Sequence, residues 1–197
     1  MSALRIGIVI GSTRPGRSSE SVARWVHELA QRRTDAHYEL VDIADYELPL
    51  FDEPASPMFG RYTKPHTKAW SQRISSLDGF VFVTPEYNHG VPAALKNALD
   101  FLYYEWNNKA AGFVSFGGIG GARAVEHLRL VLAEFQVATV RAQVLLSLIY
   151  DFEKFTSFKP LPHHESEVNA MLDQVVSWAA ALRSVRDAEG TVFRSVM

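Results

Sequence analysis

Cysteine is absent from this chain of 197 residues. Without cysteine there is no disulfide framework, no thiolate nucleophile, no zinc ribbon and no thiol-ligated iron centre. Histidine and carboxylate side chains are then the remaining protein ligands for a metal ion. Several classes of enzyme are excluded before any other feature is considered.

An excess of charge of one sign is absent as well, because 20 lysines and arginines stand against 22 aspartates and glutamates. A net charge of -2 provides no field that would capture nucleic acid or anionic lipid without specificity, so we expect neither as a partner. No apolar run approaches the length of a bilayer, and Met1 to Arg5 lacks the pattern of a secretory signal. We therefore expect a soluble, cytoplasmic protein.

The composition lacks the bias of a disordered or collagen-like chain. Hydrophobic residues make up 47% of the sequence and charged residues 21%, so a packed core is expected. The length is close to that of one domain, and we predict a single domain over residues 1–197. The proline-rich stretch from Ala44 to Pro65 is predicted to be a loop within it.

Apolar runs typical of buried strands alternate with helical stripes along the chain. The predicted strands are Leu4 to Ile10, Tyr38 to Ile43, Gly79 to Thr84, Ala111 to Phe116 and Thr139 to Leu146. The predicted helical stripes are Val22 to Ala30, Thr67 to Ser76, Val91 to Leu102, Ala122 to Phe135 and Val168 to Leu182, and the chain from Arg183 onward is expected to fray. Such alternation predicts an α/β fold of three layers, with a doubly wound, parallel sheet of five strands between helices.

Ligands of such sheets bind beyond the carboxyl ends of the strands, near the point where the strand order reverses. Three segments are predicted to lie at that edge. They are Gly11 to Ser19, Pro85 to Gly90 and Gly117 to Gly121.

The first of these loops combines hydroxyl groups and two arginines with the start of a helix. Free helical amides, hydroxyls and guanidinium groups together favour the binding of a phosphate. The predicted phosphate ligands are Ser12, Thr13, Arg14, Arg17, Ser18 and Ser19. Because the loop has neither a Walker A sequence nor the glycine spacing of a dinucleotide fingerprint, a mononucleotide is favoured. Alternatively, Ser18 or Ser19 caps the helix and the arginines are solvated.

The second loop contains two prolines, an aromatic ring and an amide. Proline restricts the backbone, so exposed amides and the ring of Tyr87 can form a wall for a flat heterocycle. The residues predicted to form this wall are Pro85, Glu86, Tyr87 and Asn88. Alternatively, Tyr87 and His89 only cover the end of the sheet, and the prolines are ordinary turn residues.

The third loop is rich in glycine. Gly117 and Gly118, followed by Gly120 and Gly121, allow the backbone to approach a ligand that a side chain would obstruct. The same glycines also suit a flexible connection between a strand and a helix. Their predicted position at the ligand-binding edge favours contact with a ligand.

Other polar groups provide weaker signals. Adjacent histidines tend to point apart, so His163, His164 and Glu165 are not predicted to bind a metal. Glu86 and His89 near Ser12 suggest nucleophilic catalysis, but the chain has no G-x-S-x-G elbow, so a hydrolase is not indicated. Lys96 and Asp100 are four residues apart on a predicted helix and are expected to form a surface pair.

These loops together resemble the NADPH-dependent FMN reductase family, and the resemblance extends from about Arg5 to Ser147. The residues that carry it are Gly11-Ser12-Thr13-Arg14, Pro85-Glu86-Tyr87-Asn88, the helical segment Pro92 to Asp100, and Gly117-Gly118 with Gly120-Gly121-Ala122-Arg123. The resemblance implies a flavodoxin-like fold, FMN as the cofactor, and NADPH or NADH as the electron donor.

Individual roles follow from the resemblance. It implies that Ser12, Arg14 and Ser19 contact the FMN phosphate, and that Pro85 to Asn88 line the isoalloxazine. The glycine loop, with Gly117 and Gly118, would pass near the edge of the flavin. Arg17 stands where many members have a serine. The implied reaction is hydride transfer from the nicotinamide to flavin N5 and then reduction of a quinone, a flavin or an azo compound.

Two other functions remain open at this point. One is a flavodoxin-like electron carrier without nicotinamide activity, which the nearly neutral charge disfavours. The other is a module that uses the first loop to bind a phosphorylated metabolite or a partner protein. The physiological acceptor, the choice between NADH and NADPH, and the roles of Ala44 to Pro65 and Asp151 to His164 are not predicted.

The aromatic segment Tyr103-Tyr104-Glu105-Trp106 suggests an interface between copies of the chain. A monomer would leave such a cluster of rings exposed. We therefore expect a homodimer or a dimer of dimers.

Overall fold

Five strands form the central sheet of the computed structural model, which describes residues 3–194 and their side chains as far as residue 188. The strands are β1 (Arg5–Ile10), β2 (His37–Asp42), β3 (Gly79–Pro85), β4 (Lys109–Gly117) and β5 (Val137–Ser147). Their order is β2-β1-β3-β4-β5, and every neighbouring pair is parallel. The predicted flavodoxin-like sheet is therefore confirmed.

Five α-helices connect and cover the strands. They are α1 (Ser19–Ala30), α2 (Pro65–Ser75), α3 (Ala93–Asp100), α4 (Ala122–Glu134) and α5 (His164–Arg194). The segment predicted as a loop before α2 contains two short 3-10 turns, at Ile43–Tyr46 and Pro57–Phe59. A small antiparallel hairpin of β6 (Phe152–Glu153) and β7 (Ser157–Phe158) precedes α5 and was not predicted.

The sheet is the middle of three layers. Alternate residues of a strand point to opposite faces, so Ile6 and Val81 pack with α1 and α5, whereas Val9, Phe80 and Phe82 pack with α2, α3 and α4. Every residue of β3 and β4 is buried, since helices cover both faces. Burial of each large side chain contributes about 1.5–3 kcal/mol, which makes this two-sided core the main source of stability.

The last helix is longer than predicted. The chain was expected to fray from Arg183, yet α5 continues to Arg194. The reason is a tertiary contact: Arg183 Nε and Arg186 Nη2 donate to Asp78 at 3.1 and 2.6 Å. Asp78 also accepts a bond from the backbone nitrogen of Arg5 at 2.9 Å. The helix is therefore anchored at the amino ends of the strands.

A buried lysine lies at the same end of the sheet. Lys109 is 3% exposed, and its Nζ donates to the carbonyl of Ile74 at 2.7 Å, at the end of α2. Burial, together with the nearby charge of Arg186, lowers the pKa of Lys109 to about 7. The amine thus donates a hydrogen bond to a carbonyl in the last turn of α2, in a buried place where its charged form is disfavoured.

The edge strand β5 contains a bulge. Ala111 and Phe113 of β4 are aligned with Thr139 and Gln143, so the intervening residues of β5 lose their partners in the sheet. Side chains of the neighbouring helices replace those partners. Arg129 Nη1 donates to the carbonyl of Val140 at 2.8 Å, and the nitrogen of Ala142 donates to Gln174 Oε1 at 3.0 Å.

Two expectations concern the chain as a whole. Within residues 3–194, no helix is both long and apolar enough to cross a membrane. The single domain over residues 1–197 stays a prediction, and its first two and last three residues lie outside the described part of the chain.

Candidate functional site

One cavity of about 230 Å³ lies at the carboxyl edge of the sheet. It lies beside the loops that follow β1, β3 and β4, where the strand order reverses. The residues predicted for cofactor binding that line it are Arg14, Arg17, Ser18, Ser19, Pro85, Glu86, Tyr87 and Gly117. The fold thus brings together most of the residues that the sequence placed at this edge.

Two polar atoms in the first loop are buried without a partner. They are Nε of Arg17 and Oγ of Ser19, the first residue of α1. The guanidinium of Arg17 is held from another direction by Asp42 and, at 3.8 Å, by Glu20. Because buried donors normally find a partner, these two atoms at a helix N-terminus suit an anion in the cavity.

Helix capping does not explain the serines of this loop. Ser18 is the N-cap residue of α1 but makes no capping bond with its side chain. Its hydroxyl instead donates to the carbonyl of Thr156 in the hairpin, at 3.4 Å. The alternative that Ser18 or Ser19 serves only as a cap is therefore not supported.

The two arginines of the loop differ in their surroundings. Arg17 is a half-buried side chain in an ion pair, whereas Arg14 is exposed. Within residues 3–188 the Arg14 guanidinium has no ion-pair partner, and the bonds of Arg14 involve its backbone: its nitrogen donates to Ser12 Oγ at 3.4 Å and its carbonyl accepts from the nitrogen of Arg17 at 3.1 Å. Arg17 is consequently the better ordered of the two cations.

Four residues predicted for cofactor binding lie outside the cavity lining. Ser12 is buried, and its hydroxyl lies 2.9 Å from the hydroxyl of Tyr87. Thr13 lines a neighbouring groove beside α3. Asn88 and Gly118 are exposed. A direct role of these four residues in binding stays a prediction.

The second loop is a tight hairpin turn. Tyr87 and Gly90 exchange two backbone hydrogen bonds of 3.0 and 3.1 Å. Asn88 and His89 between them have φ angles of 48° and 68°, as in a type I′ turn. The bond between Tyr87 and Ser12 then fixes the aromatic ring against the first loop. Tyr87 therefore lies in a rigid turn beside the cavity, and the wall for a flat heterocycle stays a prediction.

Glu86 connects the second loop to the third. Its carboxylate forms an ion pair with Arg123 and accepts a bond from the backbone nitrogen of Arg123 at 3.1 Å. Burial raises the pKa of Glu86, but the bonds from Arg123 and Ala124 outweigh burial and the pKa is lowered. Arg123 also contacts His89 Nε2 at 2.8 Å. The carboxylate therefore binds the start of α4, a contact that no local sequence pattern predicts.

The glycines of the third loop have a local structural role. A Cβ atom on Gly121, which has φ of 75°, would lie 2.8 Å from Ser115 Cβ and 2.9 Å from the nitrogen of Phe116. Glycine is required for this close approach. A Cβ on Gly118 would meet nothing within 4 Å, so the loop leaves open space there. The connection is tight at Gly121 and open at Gly118.

Phe155 and Thr156 of the hairpin also line the cavity and were missed. They lie in Asp151 to His164, whose role was not predicted. The segment contains Phe152, Phe155 and Phe158, an aromatic pattern that sequence inspection could have singled out. Its place over the first loop depends on long-range contacts that the pattern does not reveal.

The histidine pair near the hairpin adopts an arrangement that differs from the expected one. The rings of His163 and His164 lie 4.0 Å apart rather than pointing away from each other. His164 is buried between two carboxylates, with Nε2 at 3.0 Å from Asp151 and Nδ1 at 2.7 Å from Glu167. Glu165 instead pairs with Arg32 at 3.0 Å. Both nitrogens of His164 thus serve to hold the chain, and the absence of a metal site stays a prediction.

Known proteins share both the sequence pattern and the fold. The NADPH-dependent FMN reductase family matches residues 4–151 of the chain. An NAD(P)H-dependent FMN reductase of Schizosaccharomyces pombe is 44% identical over 149 residues, which are 75% of this chain and 74% of that protein. The chain belongs to the NADPH-dependent FMN reductase family. The predicted resemblance is confirmed.

A further relative is similar in sequence, and a solved structure shares the fold. A quinone reductase of Escherichia coli is 38% identical over 136 residues, covering 66% of this chain and 69% of that protein. The flavoenzyme NAD(P)H:(acceptor) oxidoreductase FerB of Paracoccus denitrificans has the same fold, with a TM-score of 0.70 and 20% identity over 90% of this chain and 98% of that one.

The expected surface pair of Lys96 and Asp100 on α3 is present, with 2.6 Å between Lys96 Nζ and Asp100 Oδ2.

Proposed function

We propose that this protein is an NAD(P)H-dependent oxidoreductase that binds FMN and reduces a quinone, a flavin or an azo compound. The observation that carries the proposal is the pair of buried, unpartnered donors on Arg17 and Ser19 at the N-terminus of α1. They lie beside a rigid wall that includes Tyr87 in the same cavity. An anion site next to a flat wall suits a flavin mononucleotide.

The residues present fit the two ends of FMN. Arg14, Arg17, Ser18 and Ser19 would hold the phosphate with charge-assisted bonds and hydroxyl donors. Pro85, Tyr87 and Gly117 would lie against the flavin ring. When bound, FMN supplies a ring that accepts hydride from NAD(P)H and passes two electrons to the acceptor.

The chain contributes position rather than a nucleophile. The bond between Ser12 and Tyr87 keeps the wall in a fixed place relative to the phosphate site. The ion pair between Glu86 and Arg123 fixes the second loop to α4. Such fixed geometry lowers the entropic cost of bringing a donor and an acceptor to the ring.

An electron carrier without nicotinamide activity is the alternative function. The net charge of -2 is small for such a carrier, which argues for the reductase. A module that only binds a phosphorylated metabolite or partner would not require a rigid wall in this cavity. The reductase, the electron carrier and the phosphate-binding module each predict a different result in one reduction experiment.

The test is anaerobic reduction of the reconstituted protein. The chain is incubated with excess FMN, desalted, and mixed with NADPH or NADH while the flavin absorbance is recorded. We expect retention of FMN, loss of the oxidised absorbance, and its recovery on addition of a quinone. Free FMN at equal concentration is the control. Retained FMN that NADPH and NADH fail to reduce would identify a carrier, and a colourless protein would identify a phosphate-binding module.

We also propose that two copies associate through the surface near Tyr104. Of the predicted aromatic segment, Trp106 is fully buried and Tyr104 is 58% exposed. Gly60 lies beside the Tyr104 ring, and its neighbour Phe59 is 68% exposed. This apolar surface supports a homodimer or a dimer of dimers.

A cytoplasmic location would give the enzyme access to its nicotinamide donor.

A further inference from the structure

The β6–β7 hairpin lies beyond the part of the chain that the family matches, which ends at residue 151. Its base is packed into the core by aromatic rings. Phe152 is 5% exposed and lies 5.6 Å from the ring of Phe116 at the end of β4. Phe158 lies 5.5 Å from the ring of Trp25 on α1. The hairpin is thus attached to both elements that border the cavity.

A single buried carboxylate fixes the two ends of the segment that carries the hairpin. Asp151 accepts bonds from the backbone nitrogens of Ser147 at 2.7 Å and Leu161 at 3.0 Å. It also pairs with His164 at 3.0 Å. The ends of an excursion of about a dozen residues therefore meet at one side chain, as in a compact loop with a defined shape.

The tip of the hairpin is turned towards the cavity. Lys154 and Phe155 have φ angles of 51° and 61°, and the nitrogen of Thr156 donates to the carbonyl of Glu153 at 3.1 Å. Phe155 and Thr156 line the cavity together with the arginines of the first loop. The bond from Ser18 to the Thr156 carbonyl connects the two walls directly.

We propose that this hairpin is a clasp that closes the phosphate end of the cofactor site and selects FMN over FAD. The inference rests on the proposed function. Phe155 is 65% exposed although it lines the cavity, so its side chain lies where the cavity meets solvent. FAD continues beyond its first phosphate into a second phosphate and an adenosine, which would have to pass the clasp. A ligand that ends in one phosphate meets no such obstacle.

The test compares the affinities of FMN, FAD and riboflavin by quenching of flavin fluorescence. The variant is Phe155→Asn, because asparagine tolerates a positive φ and removes the ring. Tyr150→Asn is the matched control, since Tyr150 is an exposed aromatic residue of the same segment that does not line the cavity. We expect the preference of the wild type for FMN over FAD to fall about tenfold in Phe155→Asn, because the smaller side chain obstructs the second phosphate and the adenosine of FAD less. Riboflavin affinity and the Tyr150→Asn values should not change.

A second measurement uses trypsin. Lys154 is exposed at the tip, whereas Lys159 is followed by Pro160, which blocks cleavage there. FMN should slow cleavage after Lys154, and riboflavin should not. An unchanged ratio of FMN to FAD affinity in Phe155→Asn, or cleavage at Lys154 that FMN does not slow, would overturn the clasp. Failure of the wild type to bind FMN at all would instead overturn the proposed function.

Discussion

Replacement of Arg17 by alanine should weaken FMN binding more than replacement of Arg14. Arg17 has a side chain that is 15% exposed, is held by Asp42, and carries a buried Nε without a partner. Loss of hydrogen bonds from such a charged group costs about 1.5–3 kcal/mol, or roughly 10- to 150-fold in Kd. Arg14 is solvent-exposed, where a charged contact contributes about 0.2–1 kcal/mol, so its removal should raise Kd by less than about fivefold.

Each apoprotein is titrated with FMN, and binding is measured as the quenching of flavin fluorescence. Arg32→Ala is the control, because Arg32 is an exposed arginine of the chain that pairs with Glu165 away from the cavity. Raising the salt concentration should reduce the contribution of Arg14 strongly and that of Arg17 weakly, since screening acts mainly on exposed charges. Equal losses for Arg14→Ala and Arg17→Ala, or a loss at Arg17 that matches the Arg32 control, would refute the reasoning.

Three further outcomes are expected. The pKa of Lys109 is lowered to about 7 in the folded protein, so above that pH only the unfolded chain binds the proton. The unfolding free energy of the wild type should therefore rise on the order of 3 kcal/mol between about pH 7 and 9.5. The variant Lys109→Met should lack this rise. Urea titrations at both pH values measure this difference, and parallel behaviour of the two proteins would contradict it. Glu86→Gln should lower the unfolding free energy by about 1.5–3 kcal/mol, because it weakens the bonds that the buried Glu86 carboxylate accepts from Arg123. Glu126→Gln on the exposed face of α4 should change the unfolding free energy little, and similar thermal shifts in both variants would argue against a stabilising role of the Glu86–Arg123 pair. Tyr104→Asp should yield monomers in sedimentation velocity with an unchanged melting temperature, and dimers that persist would exclude this surface as the interface.

The strands and helices were predictable because their signals are local. The β-branched run before Gly11 and the stripe from Val22 to Ala30 each specify an element without reference to the rest of the chain. The strand order then follows from the crossover rule, which places the three loops at one edge. Local patterns were therefore sufficient for the position of the candidate site.

The parts that were missed depend on contacts between distant residues. Arg183 and Arg186 extend α5 because Asp78, more than a hundred residues earlier, accepts their bonds. Glu86 lines the cavity, but its carboxylate binds Arg123, a partner that lies 37 residues away. The hairpin reaches the cavity through Phe116 and Ser18. None of these pairings leaves a periodic trace in the sequence.

The bulge of β5 has a consequence for how copies of this chain meet. An unprotected edge of a parallel sheet is a template on which another molecule can add a strand, with aggregation as the result. Here the irregular register removes the straight row of amides along β5, and Arg129 and Gln174 bond to backbone groups within the bulge. Self-association is thereby discouraged along that border of the sheet and left to side-chain surfaces elsewhere on the molecule.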